Sequence, residues 1–227
     1  MGTLGQALAW LTNGSHWTGT GGILQRLVEH LTMSGLVVVL ACALALPVGL
    51  LIGHAHKGAF LAVNAAGVGR AIPSFGVLAF AFPFTLRHHL PGAFGFWPTF
   101  IALVVLAVPP LLTNTYVAVA GVDPDTLEAA RGVGMSERQV LLGLELPLSA
   151  PLMLDTVRTV AVQVAATATL GAVVGWGGLG RYIVDGFATQ NAPELLGGAI
   201  LVALLAVAVD VAFGMVRRSG AVRRLQV

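Results

Sequence analysis

From about Leu31 to Gly53 the chain runs without a charged residue, and few features restrict a fold more tightly. A bilayer core requires about 20 mostly apolar residues per helical span. No water is available there to satisfy backbone N–H and C=O groups, so the run must close its own hydrogen bonds as a helix, and Pro47 within it is tolerable. Similar stretches run from roughly Ala59 to Leu86, with Arg70 and Pro73, from Trp97 to Ala120, from Leu154 to Val174 and from Leu195 to Val216. Hydrophobic residues make up 56% of the chain and charged residues 10%, against about 25% charged in a soluble domain. The expected fold is all-α, a polytopic membrane protein of about five transmembrane helices. In 227 residues the charge is too sparse for a separate soluble domain. A single cysteine, Cys42, excludes an internal disulfide framework.

One stretch between apolar segments breaks this pattern. Glu128, Arg131, Glu137, Arg138 and Glu145 cluster in residues 128–147. Asp123 before Pro124 reads as an N-cap with proline at the first helical position, where the missing amide hydrogen costs nothing. Gly132 and Gly134 weaken that helix and supply a left-handed stop, Ser136 with Gln139 forms a capping box for a second helix, and Pro147 is expected to end it. The expected shape is two short helices joined by a tight glycine turn, with Ala129 and Ala130 small enough for a partner to approach closely.

This segment resembles the EAA loop of permease subunits of binding-protein-dependent ABC importers, with the MetI-like fold that the resemblance implies. Glu128, Ala129, Ala130, Gly134, Leu144, Leu146 and Pro147 fall on every element of the family pattern. The resemblance implies that residues 123–147 are coupling helices seated in a groove of a separate ATPase. This chain carries no G-x-x-x-x-G-K-[ST] phosphate cradle, so ATP and magnesium belong on that partner and no cofactor is expected here. Zinc-protease and nucleophile-elbow motifs are absent as well. A transporter subunit is expected rather than an enzyme.

Lysine and arginine placement sets the orientation. Five spans put Lys57, Arg131, Arg138, Arg217, Arg218, Arg223 and Arg224 on one side and Arg26, Arg87 and Arg181 on the other. The positive-inside rule makes the EAA loop and the basic tail cytoplasmic and the N-terminus external. The organisation read from this is an outer or interfacial segment over residues 1–30, a permease domain over 31–216 and a tail over 217–227. The first thirty residues lack the basic region of a cleavable signal peptide. Ile23, Leu24, Leu27 and Leu31 recur at helical spacing, as in a short interfacial helix, with Trp10 and Trp17 as belt anchors.

Ionisable residues within spans mark interior pairs or a pathway. Asp155 and Arg158 lie three apart and read as a local salt bridge. Arg70 and Asp210 read either as a pair between helices or, with Asn114, as part of a translocation path. His54 with His56, and His88 with His89, lack a third ligand nearby, so no metal site is expected. Gly171 to Gly175 has the spacing of a helix-packing motif.

A finer resemblance extends over residues 31–216. RAIPSFGVLAF in span two, Asn114 to Tyr116, the stretch Val157 to Gly180 and ALLAVAVD near the C-terminus resemble permeases of osmoprotectant importers for glycine betaine, carnitine, choline or proline betaine; Arg70 departs from that pattern. The resemblance implies an external binding protein whose aromatic cage holds the cation, a second permease copy or sister permease, and two ATPases. Trp176, Tyr182 and Phe187 are then candidates for an outer gate or for contact with the binding protein. An amino-acid permease, such as one for methionine, is the rival within transport. A membrane scaffold or passive channel is the rival outside it.

Overall fold

A computed structural model describes residues 2–58, 60, 64, 67, 71, 73–92 and 94–218. Arg70, most of residues 59–72 and the tail beyond 218 lie outside the described residues. Every regular element among those described is helical: α1 (Thr3–Thr12), α2 (Ile23–His54), α3 (Ser74–Arg87), α4 (Phe96–Ala120), α5 (Pro124–Gly132), α6 (Glu137–Val140), α7 (Leu146–Thr167), α8 (Gly180–Ala188) and α9 (Ala192–Arg218). A π-helical turn, Leu141–Glu145, joins α6 to α7, and a 3₁₀ segment, Ala168–Val174, follows α7.

Four described segments are long and apolar enough to cross a membrane: Ile23–His54, Phe96–Ala120, Glu137–Val174 and Ala192–Met215. Within the expected second span, Ser74–Arg87 is a shorter apolar helix. Large apolar side chains such as Val39 and Val207 stand mostly exposed on α2 and α9, the reverse of a water-soluble surface and the arrangement a lipid environment favours.

Two compact units divide the chain. The first comprises Met1–Val38, Pro73–Val105 and Ala161–Val209. In it α2 starts at Ile23 and continues without a break, so the helical spacing at Ile23–Leu31 belongs to the span and not to a separate interfacial helix. Trp10 is likewise no free anchor: it lies edge-on to Tyr182 at 5.2 Å and against Gly197, where a Cβ would come within 2.5 Å of the indole. The irregular segment after α7 is held by α2. His30 donates from Nε2 to the Ala165 carbonyl at 2.7 Å and accepts at Nδ1 from the Leu179 amide at 3.3 Å, which defines a neutral tautomer. Glu29 accepts from the Gly178 amide at 2.8 Å. Gly171 packs on Thr99, whereas Gly175 is a turn residue at φ +88°; the two do not form one helical packing face, because the helix has already tightened and ended between them.

The second unit comprises Val39–Ile72, Leu106–Val160 and Asp210–Val227. Here α2 buries Ala41, Ala45, Gly49 and Gly53, every fourth residue, the period that stacks side chains on one helical face. The two glycines let α4 approach: a Cβ at Gly49 would lie 2.7 Å from that of Thr115, and one at Gly53 2.7 Å from that of Val119. Small residues at such a seam replace the hydrophobic drive that lipid removes. Gly49→Leu is therefore expected to lower the melting temperature in detergent by several degrees, in line with an overpacking cost of about 1–3 kcal/mol. Leu44→Ala, on the exposed face of the same helix, serves as the unaffected control in that melt.

Arg158 takes Asp210, 52 residues away, as its bidentate partner. It donates from Nε and one terminal amine to the two oxygens of Asp210 at 2.7 and 2.6 Å. The rigid guanidinium fork matches a carboxylate offered face-on by α9, a geometry that an aspartate three residues earlier on the same helix does not present. Asp210 is thereby engaged by Arg158, while its pairing with Arg70 falls outside the described residues.

Candidate functional site: the helical loop of residues 123–147

Asp123 caps α5 by accepting from the Asp125 amide at 3.2 Å, with Pro124 next in the chain. The helix ends in a Schellman motif: the Met135 amide reaches the Ala130 carbonyl at 3.1 Å and the Gly134 amide reaches that of Arg131 at 2.9 Å. Gly134 sits at φ +90°, while Gly132 stays out of the left-handed region. Ser136 and Gln139 then form the capping box that opens α6. The two helices close on their own small core of Val122, Leu127, Ala130 and Val140, flanked by Met135 and Leu144.

That core divides the motif. Glu128 and Ala129 are exposed and Val133 is 82% exposed, whereas Ala130 faces inward. Ala129 alone of the alanine pair therefore offers a partner close approach. Arg131 donates to both oxygens of Glu137 at 2.9 and 3.1 Å across the glycine turn. The Glu137 carboxylate pushes the Arg131 guanidinium above its usual range, so the ion pair across the turn stays charged.

Pro147 does not end the second helix. Glu137–Val174 is one helical run, and Pro147 is the second residue of α7. The preceding π turn explains this, since the Leu146 amide reaches back five residues to the Leu141 carbonyl and the widened turn relieves the ring clash that a proline imposes on a tight α-helix. Widening also aims Glu145 inward, where its side chain is fully buried. His54, the last residue of α2, meets it with Nδ1 at 2.6 Å from Oε2 and has Nε2 3.4 Å from Glu137 Oε2. Sequence reading missed this contact, weighing His54 as a metal ligand without a third partner. The available signal was a carboxylate between Leu144 and Leu146 in an otherwise apolar stretch.

Residues 45–219 match the family model described as binding-protein-dependent transport system inner membrane component. The chain belongs to that family. Among the relatives of this permease is the carnitine transport permease protein OpuCB of Listeria monocytogenes, 37% identical over 186 residues and 82% of each chain. The choline transport system permease protein OpuBB of Bacillus subtilis is 33% identical over 88% of this chain and 89% of its own. The osmoprotectant import permease protein OsmW of Salmonella typhimurium is 31% identical over 80% of this chain and 84% of its own. The fold is similar to that of the MetNI methionine ABC transporter in its inward facing conformations, with a TM-score of 0.75 at 23% identity over 86% of this chain and 94% of that one.

The family makes the chain a multi-pass, all-α transport component working with separate ATPase and substrate-binding partners. The remaining residues singled out from the sequence are scattered through the permease. Asn114 is exposed in the C-terminal third of α4, where its neighbour Thr115 is buried. Tyr182 is 8% exposed and donates its hydroxyl to the Gly21 carbonyl at 2.7 Å; burial pushes the phenol up. Trp176 stacks edge-on against Phe96 at 5.3 Å, and Phe187 is 76% exposed. Of these three aromatics, Phe187 is the one free to meet another protein. Among the described residues no three His, Cys, Asp or Glu side chains are grouped so as to hold a metal ion.

Proposed function

We propose that this permease carries osmoprotectants of the quaternary ammonium class, glycine betaine, carnitine, choline or proline betaine, into the cell on ATP hydrolysed by a separate subunit that binds ATP and magnesium. Glu128, Ala129 and Gly134 dock in the ATPase, while Leu144, Leu146 and Pro147 join the loop to the span behind it. The loop and the basic tail face the cytoplasm and the N-terminus faces outward, as the arginine and lysine distribution favours. Permease domain 31–216 pairs with a second copy or a sister permease, and Asn114, polar and exposed within a span, points to a surface covered by that partner or by the pathway instead of lipid. Outside, a binding protein delivers the solute, with Phe187 as a contact. Nucleotide-driven closure of the ATPases draws the paired loops together and biases the membrane part between its two states.

The observation that carries this reading is the complete EAA pattern on an exposed, self-supporting pair of helices, joined to relatives named for carnitine, choline and osmoprotectants. Proteoliposomes holding the chain with its ATPase and binding protein are expected to accumulate labelled glycine betaine, carnitine or choline against a gradient only when ATP is supplied. Competition by unlabelled methionine in place of the quaternary amines overturns the substrate assignment. Equilibration without ATP overturns the driven transport.

A further inference from the structure

The coupling loop reaches the membrane spans around it by two different kinds of connection. α4 precedes α5 by a three-residue link, and α6 runs through the π turn into α7, so both spans are joined to the loop by backbone. α2 has no such join. Its contact with α4 is the apolar glycine seam at Gly49 and Gly53, and apolar packing is non-directional. At its end, however, His54 makes a 2.6 Å contact with Glu145 and faces Glu137, which in turn holds Arg131. This row of side chains crosses α2, the π turn, α6 and α5.

We propose that His54 is a positioning residue for coupling, tying the end of α2 to the loop through Glu145 and Glu137 so that work delivered to the loop moves α2 in step with α4 and α7. The inference rests on the docking role assigned to residues 123–147.

Glu145 is a poor choice for stability alone. Its side chain is fully buried, one oxygen meets His54 and the other, Oε1, has no hydrogen-bond partner among the described residues. A buried carboxylate left half-satisfied is unfavourable, and replacing a buried ionic contact by well-packed apolar side chains is often neutral or stabilising. Leucine at 145 would continue the run of Leu144 and Leu146. What a carboxylate supplies in that position, and leucine does not, is a directional hydrogen bond to an imidazole. The π turn supports the same reading. Such turns gather at functional sites, and one added residue rotates everything after it by about 100°, which here points the side chain at α2.

The test uses the complete importer in proteoliposomes, reading ATP hydrolysis, solute carried per ATP, co-purification of the ATPase and melting temperature. Glu145→Leu is expected to co-purify, to melt no lower than wild type and to hydrolyse ATP, while solute per ATP falls about tenfold, the scale of a strong coupling residue. Glu145→Gln keeps an acceptor for the His54 N–H and is expected to restore the ratio to within about twofold. An unchanged ratio in Glu145→Leu, a lowered melting temperature in that variant, or a glutamine variant as uncoupled as the leucine one overturns the proposal. Loss of ATPase co-purification by the wild-type chain strikes the docking role itself.

Discussion

Gly134→Pro is expected to reduce ATP-driven uptake to background while the chain still enters the membrane at normal abundance. Two defects coincide at this position. Proline is locked near φ −65° and has no amide hydrogen; Gly134 sits at φ +90° and donates its amide to Arg131 at 2.9 Å. Breaking such a turn costs about 3 kcal/mol or more. The loss falls on a small core of Val122, Leu127, Ala130 and Val140, which with the exposed Arg131–Glu137 ion pair holds α5 against α6. Gly134→Ala separates strain from crowding, since a Cβ there meets nothing within 4 Å and only the left-handed backbone, about 1–2 kcal/mol for an L-residue, is disfavoured. The alanine variant is expected to keep partial uptake. Measurement is by labelled solute uptake and by recovery of the ATPase with the chain; wild-type uptake in the proline variant removes the loop from the coupling route.

That loop was legible because its rules are local. An N-cap aspartate before proline, a glycine at the left-handed stop and a Ser136–Gln139 box each act over fewer than six residues, and the structure forms all three. Hydropathy likewise exposed the long spans, since lipid imposes the same demand along the whole run. What escaped reading depends on distant partners. Arg158 had a nearby aspartate in sequence, yet binds one 52 residues away, and His54 binds a glutamate 91 residues away; the first choice leaves no local trace, and the second only a lone carboxylate among leucines that does not name its partner. Pro147 misled for a related reason: the rule that proline stops a helix presumes α geometry, and the π turn before it changes that geometry. Ala130 shows the limit of a motif, which marks both alanines without saying that one of them faces the loop's own core.

The Arg158–Asp210 pair gives the second large effect. Asp210→Leu alone strands a guanidinium within a span, and unpaired charges there are strongly disfavoured. Membrane abundance of the variant is expected to fall at least about tenfold, and Arg158→Leu should fall similarly by stranding the carboxylate. Exchanging the two, Arg158→Asp with Asp210→Arg, is expected to recover abundance in part, the shorter aspartate on α7 reaching less far than the guanidinium it replaces. The double change Arg158→Leu with Asp210→Leu removes both charges and leaves apolar side chains where α7 meets α9, a replacement that ion pairs often tolerate without loss. Because the observed fork occupies both oxygens of Asp210, an anchoring role predicts that uptake returns together with abundance in the double-leucine chain. Quantitative blots of the membrane fraction beside solute uptake read the two separately. Recovered abundance with uptake still absent places Asp210 on the route that the solute takes, and an undiminished single variant shows that α7 and α9 do not depend on the pair.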